Sequence, residues 1–429
     1  MERPTVFLVG QASKRGLIPR VPTGERLLVD AEAWLRAEYP DALRTIAIRK
    51  LASGVSELQV SLHPAAENLS LTAADTGRVT ATAATWPTGP GYHTFACRLL
   101  ERLGVDLDVE WAPADAEDGS RDESGYLVSG ERPMVEQAHL AWLGATLAMA
   151  RDARRQGRVL HVGTPAHVRF TFDGPLATAL GPRDDAWLEH ALGDPATAVD
   201  ILPWWADVTD ARYLLNRALC LMWSEVRWRP PAIEGERALL TEALQLLGRA
   251  FPLDPSLPYP WREWKEMIDN RGFLDAAAEQ IGERAAAEPA DGPLIGYRRQ
   301  PLTVIHEGWA LEIPGSFAER RSDEEWWGGE GGRGITLAAV ETGTVDGPMS
   351  AEGFLLQVAS HLGPDALTHR AGELIGKARL GVDGSSGVSV GVLEAYSAVT
   401  GRGAAMRLIF DEAEDWPWAM EIWRALEPA

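Results

Sequence analysis

The segment that most constrains the fold is Arg78-Val-Thr-Ala-Thr-Ala-Ala-Thr85, followed by Trp86-Pro-Thr-Gly-Pro-Gly91. A period of two with β-branched residues predicts a strand. The Pro/Gly run predicts a tight turn. Phe95, Leu99 and Leu103 then fall on one face of a helix over 92–103, with Gly104 as its stop. Strand and helix adjoin within a few residues, so the expected class is α+β.

Other strands are expected at 5–9, 56–62 and 69–73, and a helix near 31–38 before Pro40. Val105, Leu107 and Val109 alternate with Asp106, Asp108 and Glu110, which predicts a half-exposed strand. The acidic stretch 111–125 is unpatterned and reads as a mobile loop. A helical middle follows, with helices expected at 134–150, 184–192, 210–227, 236–251 and 259–270. The helix 134–150 is apolar nearly all round, which implies burial. A strand pair at 159–162 and 167–172 would bring His161 and His167 together across a hairpin. Residues 243–268 look like a single tetratricopeptide-type helical pair, without a second copy at the ~34-residue period that such arrays need. Trp187, Trp204, Trp205, Trp223, Trp228, Trp261 and Trp264 crowd this middle, as core packing or as a stacking platform.

The small residues and prolines of 284–301 predict a linker. Beyond it come strands at 309–313, 335–340, 374–382, 387–399 and 404–410, a helix capped by Ser350, and a helix at 418–426. The expected organisation is 1–283 (strand-rich to 130, helical after), a linker, and a small antiparallel-sheet α/β/α sandwich at 302–429. This last part resembles the PsbP-like fold through Trp309-Ala-Leu-Glu-Ile-Pro-Gly-Ser-Phe317, the helix start Ser350-Ala-Glu-Gly-Phe-Leu355 and Arg407-Leu-Ile-Phe410. The resemblance implies a protein-interaction module rather than an active site.

The formal net charge of −21 disfavours nucleic acid and anionic membranes; it would attract a basic partner, or it merely keeps the chain in solution. No apolar run reaches the ~20 residues of a membrane span. Two distant cysteines, Cys97 and Cys220, and a start without a secretory pattern lead to the expectation of a cytoplasmic protein.

Local chemistry concentrates at two places. His93 and Cys97 lie four apart on one helix face and form a candidate base and nucleophile. The amides of the turn, with Gly89, Gly91, Tyr92 and Arg98, form a candidate anion site at a helix N-terminus. The competing reading is a turn with core packing. Acids beside tryptophans, at Asp323, Trp326 and Trp327 and at Asp411, Asp415, Trp416 and Trp418, are candidates for gripping a basic partner, or are solvated loop tips. No P-loop, dinucleotide fingerprint, zinc pattern or serine elbow is present, and Gly384-Ser-Ser-Gly387 reads as a hairpin turn. No metal and no cofactor are expected. The function expected first is a non-enzymatic interaction protein, immunity-like, adaptor or scaffold. The alternative is a small-ligand binder or enzyme at the 88–97 turn.

Overall fold

The computed structural model describes residues 3–13, 22–51, 54–113, 119–272, 276–289, 292–322, 324–344, 347–384 and 389–429. The class is α+β. The chain forms two compact units, each assembled from several stretches. The first takes Met1–Pro165, Phe172–Ser224 and Glu242–Pro260; the second takes Ala166–Thr171, Glu225–Thr241 and Trp261–Ala429.

The first unit is built on a seven-stranded sheet. Its strands are β1 (Thr5–Ala12), β2 (Thr45–Lys50), β3 (Ser56–Ser61), β4 (Leu69–Ala73), β5 (Arg78–Ala84), β6 (Val109–Trp111) and β7 (Arg121–Asp122). The order is β2-β3-β4-β5-β1-β6, with β7 also on β1, and all pairings are antiparallel. The register aligns Leu58, Leu71, Ala81 and Leu8 across four strands. These side chains are buried together, and Glu57, Thr72 and Thr80 point the other way. Helix α1 (Gly24–Glu38), capped by Thr23, lays Leu27, Leu28, Ala31 and Leu35 in the core and packs on β2, β3 and β4.

Helix α2 (Pro90–Asp106) runs past the expected stop. Gly104 is needed for close approach, because the Trp111 indole lies where a side chain at 104 would stand and donates to the Leu100 carbonyl at 2.9 Å. Val105 and Asp106 are therefore helical. Asp108 turns the chain at φ 49°, and the strand is only Val109–Trp111. Of the expected loop 111–125, residues 114–118 lie outside the described residues, while β7 falls in its later part and α3 (Tyr126–Ser129) just after it. Helix α4 (Arg132–Arg155) buries Val135, His139, Trp142, Leu143, Thr146, Leu147 and Ala150, one stripe at helical spacing. Met134 and Met149 on it are each 41% exposed, so burial is one-sided rather than complete.

The expected hairpin between His161 and His167 does not form. Leu160–Val162 pairs in parallel with Leu176–Thr178 in the first unit, whereas Val168–Phe170 pairs with Leu302–His306 in the second. The tetratricopeptide-like pair is likewise divided. Residues 242–260 belong to the first unit, while Trp261–Arg271 belongs to the second and packs on Ala276–Ala287.

In the second unit an antiparallel sheet runs in the order Ala318–Arg321, Glu325–Glu330, Arg333–Glu341, Arg402–Phe410, Val390–Val399, Leu374–Asp383 and Leu367–Ala371. Gly403, Ala398 and Ile375 form one cross-strand row; Ala404, Ser397 and Gly376 form the next and face the other side. The helix Ala351–Val358, capped by Ser350, sets Phe354 over Gly403 and packs with Ala398 and Ile375. The helix Trp416–Arg424 covers the opposite face, where Trp423 meets Gly376 and donates to Ser397 at 3.1 Å. The layering is thus helix, sheet, helix.

The segment 284–301 is not a plain linker. Its first residues end the helix Ala276–Ala287, and Tyr297 and Arg298 are buried. Tyr297 stacks on Phe170 at 4.5 Å, and Arg298 donates to Glu319 at 2.6 Å. Glu319 also accepts from Arg227 at 3.3 Å and from the Trp326 indole at 3.0 Å. Next to them Arg229 pairs with Glu236 at 2.9 Å. This charged cluster sits in the interior of the second unit.

Candidate functional site

The 88–97 turn starts α2 with Pro90 in its first turn after Gly89, which is at φ 117°. The two glycine amides expected to hold an anion are occupied from within the protein, that of Gly89 by the Thr85 carbonyl at 3.1 Å. Gly91 N–H donates to the Trp204 carbonyl at 3.0 Å, and Trp204 N–H donates to Thr88 at 2.9 Å. A side chain at either Gly89 or Gly91 would collide with residues 202–206, so both glycines serve this close packing. Tyr92 is fully buried. Arg98 is exposed but paired with Asp207 at 2.6 Å. The turn is therefore not an open anion cradle. A separate open concavity of about 450 Å³ lies beside it, lined by Phe95, Arg98, Trp204, Asp207, Val208, Thr209 and Asp210.

His93 and Cys97 do not form a base and nucleophile. Thr85 gives its hydroxyl proton to the Pro4 carbonyl at 2.8 Å, so its oxygen accepts from His93 Nδ1, 2.7 Å away. His93 Nε2 faces Asp122 Oδ1 at 3.1 Å and Ser124 Oγ at 3.0 Å, and Ser124 Oγ itself donates to Asp122 at 2.7 Å. Both ring nitrogens therefore donate, and neither has a lone pair to take a proton from a thiol. Asp122 also accepts from the amides of Ser124 at 2.8 Å and Leu127 at 2.9 Å. Despite its burial, hydrogen bonds from His93, Ser124 and Leu127 and the His93 charge hold its carboxyl well below the usual range. Burial and the Asp122 and Glu101 charges push the Cys97 thiol up, which counts against Cys97 as the expected nucleophile. His139, 6.0 Å from His93 between ring centres, titrates at about 4 because it is buried.

Asp122, Ser124 and Thr85 had no place in the sequence-based site. A local signal existed in Asp122-Glu-Ser-Gly125, whose first carboxylate accepts from the amide two residues on.

The acid–tryptophan candidates divide. Asp323 lies outside the described residues. Trp326 is fully buried and so is not available to a partner: it pairs across from Leu337 and points into the core, while Trp327 pairs across from Thr336 and points the other way. Trp327 carries Arg320 over its ring at 5.6 Å. Asp415 holds Arg333, with Nε to Oδ2 at 3.0 Å, so its charge is neutralised locally. Arg333 in turn lies over Trp418 at 5.2 Å. Asp411, Glu412 and Glu414 are exposed. Next to them Trp416, Pro417, Met420, Glu421, Arg424 and Ala425 line an open concavity of about 550 Å³.

Among the described residues no group of three or more His, Cys, Asp or Glu is placed to hold a metal ion, and no helix is long and apolar enough to cross a membrane. The chain matches no protein family model and no curated protein. Among solved structures, a crystal structure from Bacteroides thetaiotaomicron VPI-5482 is similar over 28% of this chain and 45% of that one, at 9% identity and a TM-score of 0.25. The match spans less than half of that chain, and at this TM-score it has no bearing on the fold.

Proposed function

We propose that this chain is a non-enzymatic interaction protein of a bacterial-type cytoplasm, immunity-like, adaptor or scaffold, that docks a basic, partly apolar segment of another protein on the surface of residues 411–424. The observation that carries this reading is the 416–425 concavity with exposed Asp411, Glu412 and Glu414 beside it. Aromatic and methionine side chains supply contact area, and the acids select positive charge. The net charge of −21 adds long-range attraction for a basic protein. The resemblance of residues 302–429 to PsbP-like sandwiches points the same way.

The test compares the native chain with a Glu412→Lys/Glu414→Lys/Trp416→Ala variant as bait in a bacterial lysate at low and high salt. The expected result is a basic protein held by the native chain at low salt, released at high salt, and absent from the variant. If both baits retain the same proteins, or if retention is indifferent to salt, the reading fails.

A further inference from the structure

The interior of the first unit beneath the 88–92 turn has an unusual polar make-up. His63, Tyr92, Trp204 and Tyr213 form one aromatic cluster, with ring centres 6.2 Å apart for His63 and Tyr92, 6.1 Å for His63 and Tyr213, and 4.3 Å for Trp204 and Tyr213. Arg217, on the same helix as Tyr213, donates to the Tyr213 hydroxyl at 3.2 Å. His63, Tyr92 and Arg217 are each at most 4% exposed.

Four polar atoms in this cluster have no partner among the described protein groups: His63 Nε2, the Tyr92 hydroxyl, Trp204 Nε1 and Arg217 Nε. Their chemistry is one-sided. His63 Nδ1 accepts from the Ala65 amide at 3.1 Å, so the proton of the neutral ring sits on Nε2. Burial and the charges of Arg217 and Arg44 keep that ring neutral. Arg217 Nε and Trp204 Nε1 are donors only, and the tyrosine hydroxyl, which can also accept, has its proton to give. Arg44 and Arg217 both pair with the Glu242 carboxylate, at 3.2 Å each. Buried donors without an acceptor are costly, and native interiors answer them with protein, water or an ion.

We propose that a small hydrogen-bond acceptor is held among His63, Tyr92 and Arg217, and that it comes either from solvent as an ordered water or from solution as a small anion. This site is distinct from the surface proposed for the protein partner.

Tyr92→Phe removes only the hydroxyl and gives opposite signs for the two cases. With an acceptor in place, the variant loses a hydrogen bond, and its unfolding equilibrium constant rises about fivefold. With nothing there, the variant sheds an unanswered buried group and becomes more stable. A diffraction experiment on crystals grown in bromide separates the two sources. A peak beside Tyr92 and His63 with anomalous signal identifies an anion, and a peak without it identifies water. A more stable Tyr92→Phe protein, or an interior without density at this place, overturns the proposal.

Discussion

Asp122 decides the character of the 88–97 region. Its carboxylate side chain is 1% exposed and faces a fully buried His93. A buried charge survives only when it is paired and hydrogen-bonded. Asp122→Ala would leave the His93 charge unmatched, and a loss of about 3–5 kcal/mol in chemical denaturation is expected. The pH dependence follows from the depressed carboxyl pKa. The Asp122 carboxylate's contribution is complete above the unfolded value of about 4 and is lost as pH falls through the lower folded value. Acid titration of the native chain and of Asp122→Ala should therefore converge at low pH. A variant as stable as the native chain at pH 7 contradicts this account. His93 and Cys97 show how far a spacing argument reaches. Four-residue spacing does place both on one helix, but which partner His93 takes depends on a strand 29 residues later.

At the scale of elements, the strands of the first sheet were legible because alternation survives in the sequence. The runs 56–62, 69–73 and 78–85 correspond closely to β3, β4 and β5. Strand β2 was missed: Thr45–Lys50 lies at the edge of the sheet, and its alternation is short, with only Ile46 and Ile48 turned inward and half-buried. The end of α2 was misread because Gly104 signals a stop in isolation, yet it is kept for the Trp111 indole. Gly104→Ala is accordingly expected to cost about 1–3 kcal/mol by overpacking, although alanine is the better helix former. Thermal unfolding of this variant checks it, and an increase in Tm would show that Gly104 is merely a weak helix residue. The tryptophan pair 326–327 carries the same lesson for strands. Neighbouring side chains in a strand face opposite ways, so two adjacent tryptophans are rarely both at a surface.

For the whole molecule, the division into two units rests on pairings between distant stretches. Glu319 binds Arg227, Arg298 and Trp326, and so joins residues from 225–241 to those beyond 261. Glu319→Ala should lower stability by about 3–5 kcal/mol, because two buried guanidiniums lose a shared carboxylate. The loss should appear in amide exchange of the second unit, as faster exchange in strands 325–330 and 402–410, with strands β3, β4 and β5 unchanged. Equal acceleration in both units would show that they unfold as one.

The sequence by itself determined the class, most strands of both large sheets, the helix capped by Ser350 and the chain's negative field. These follow from local periodicity, capping and composition, which act over a few residues. Tertiary structure alone decided that 166–171 and 225–241 belong with the C-terminal sandwich and that Trp326 is core. It also decided that His93 is bound by Asp122 and that Arg333 neutralises Asp415. Each of these depends on which distant groups meet in a low-dielectric interior or across a sheet, and local patterning does not encode those meetings.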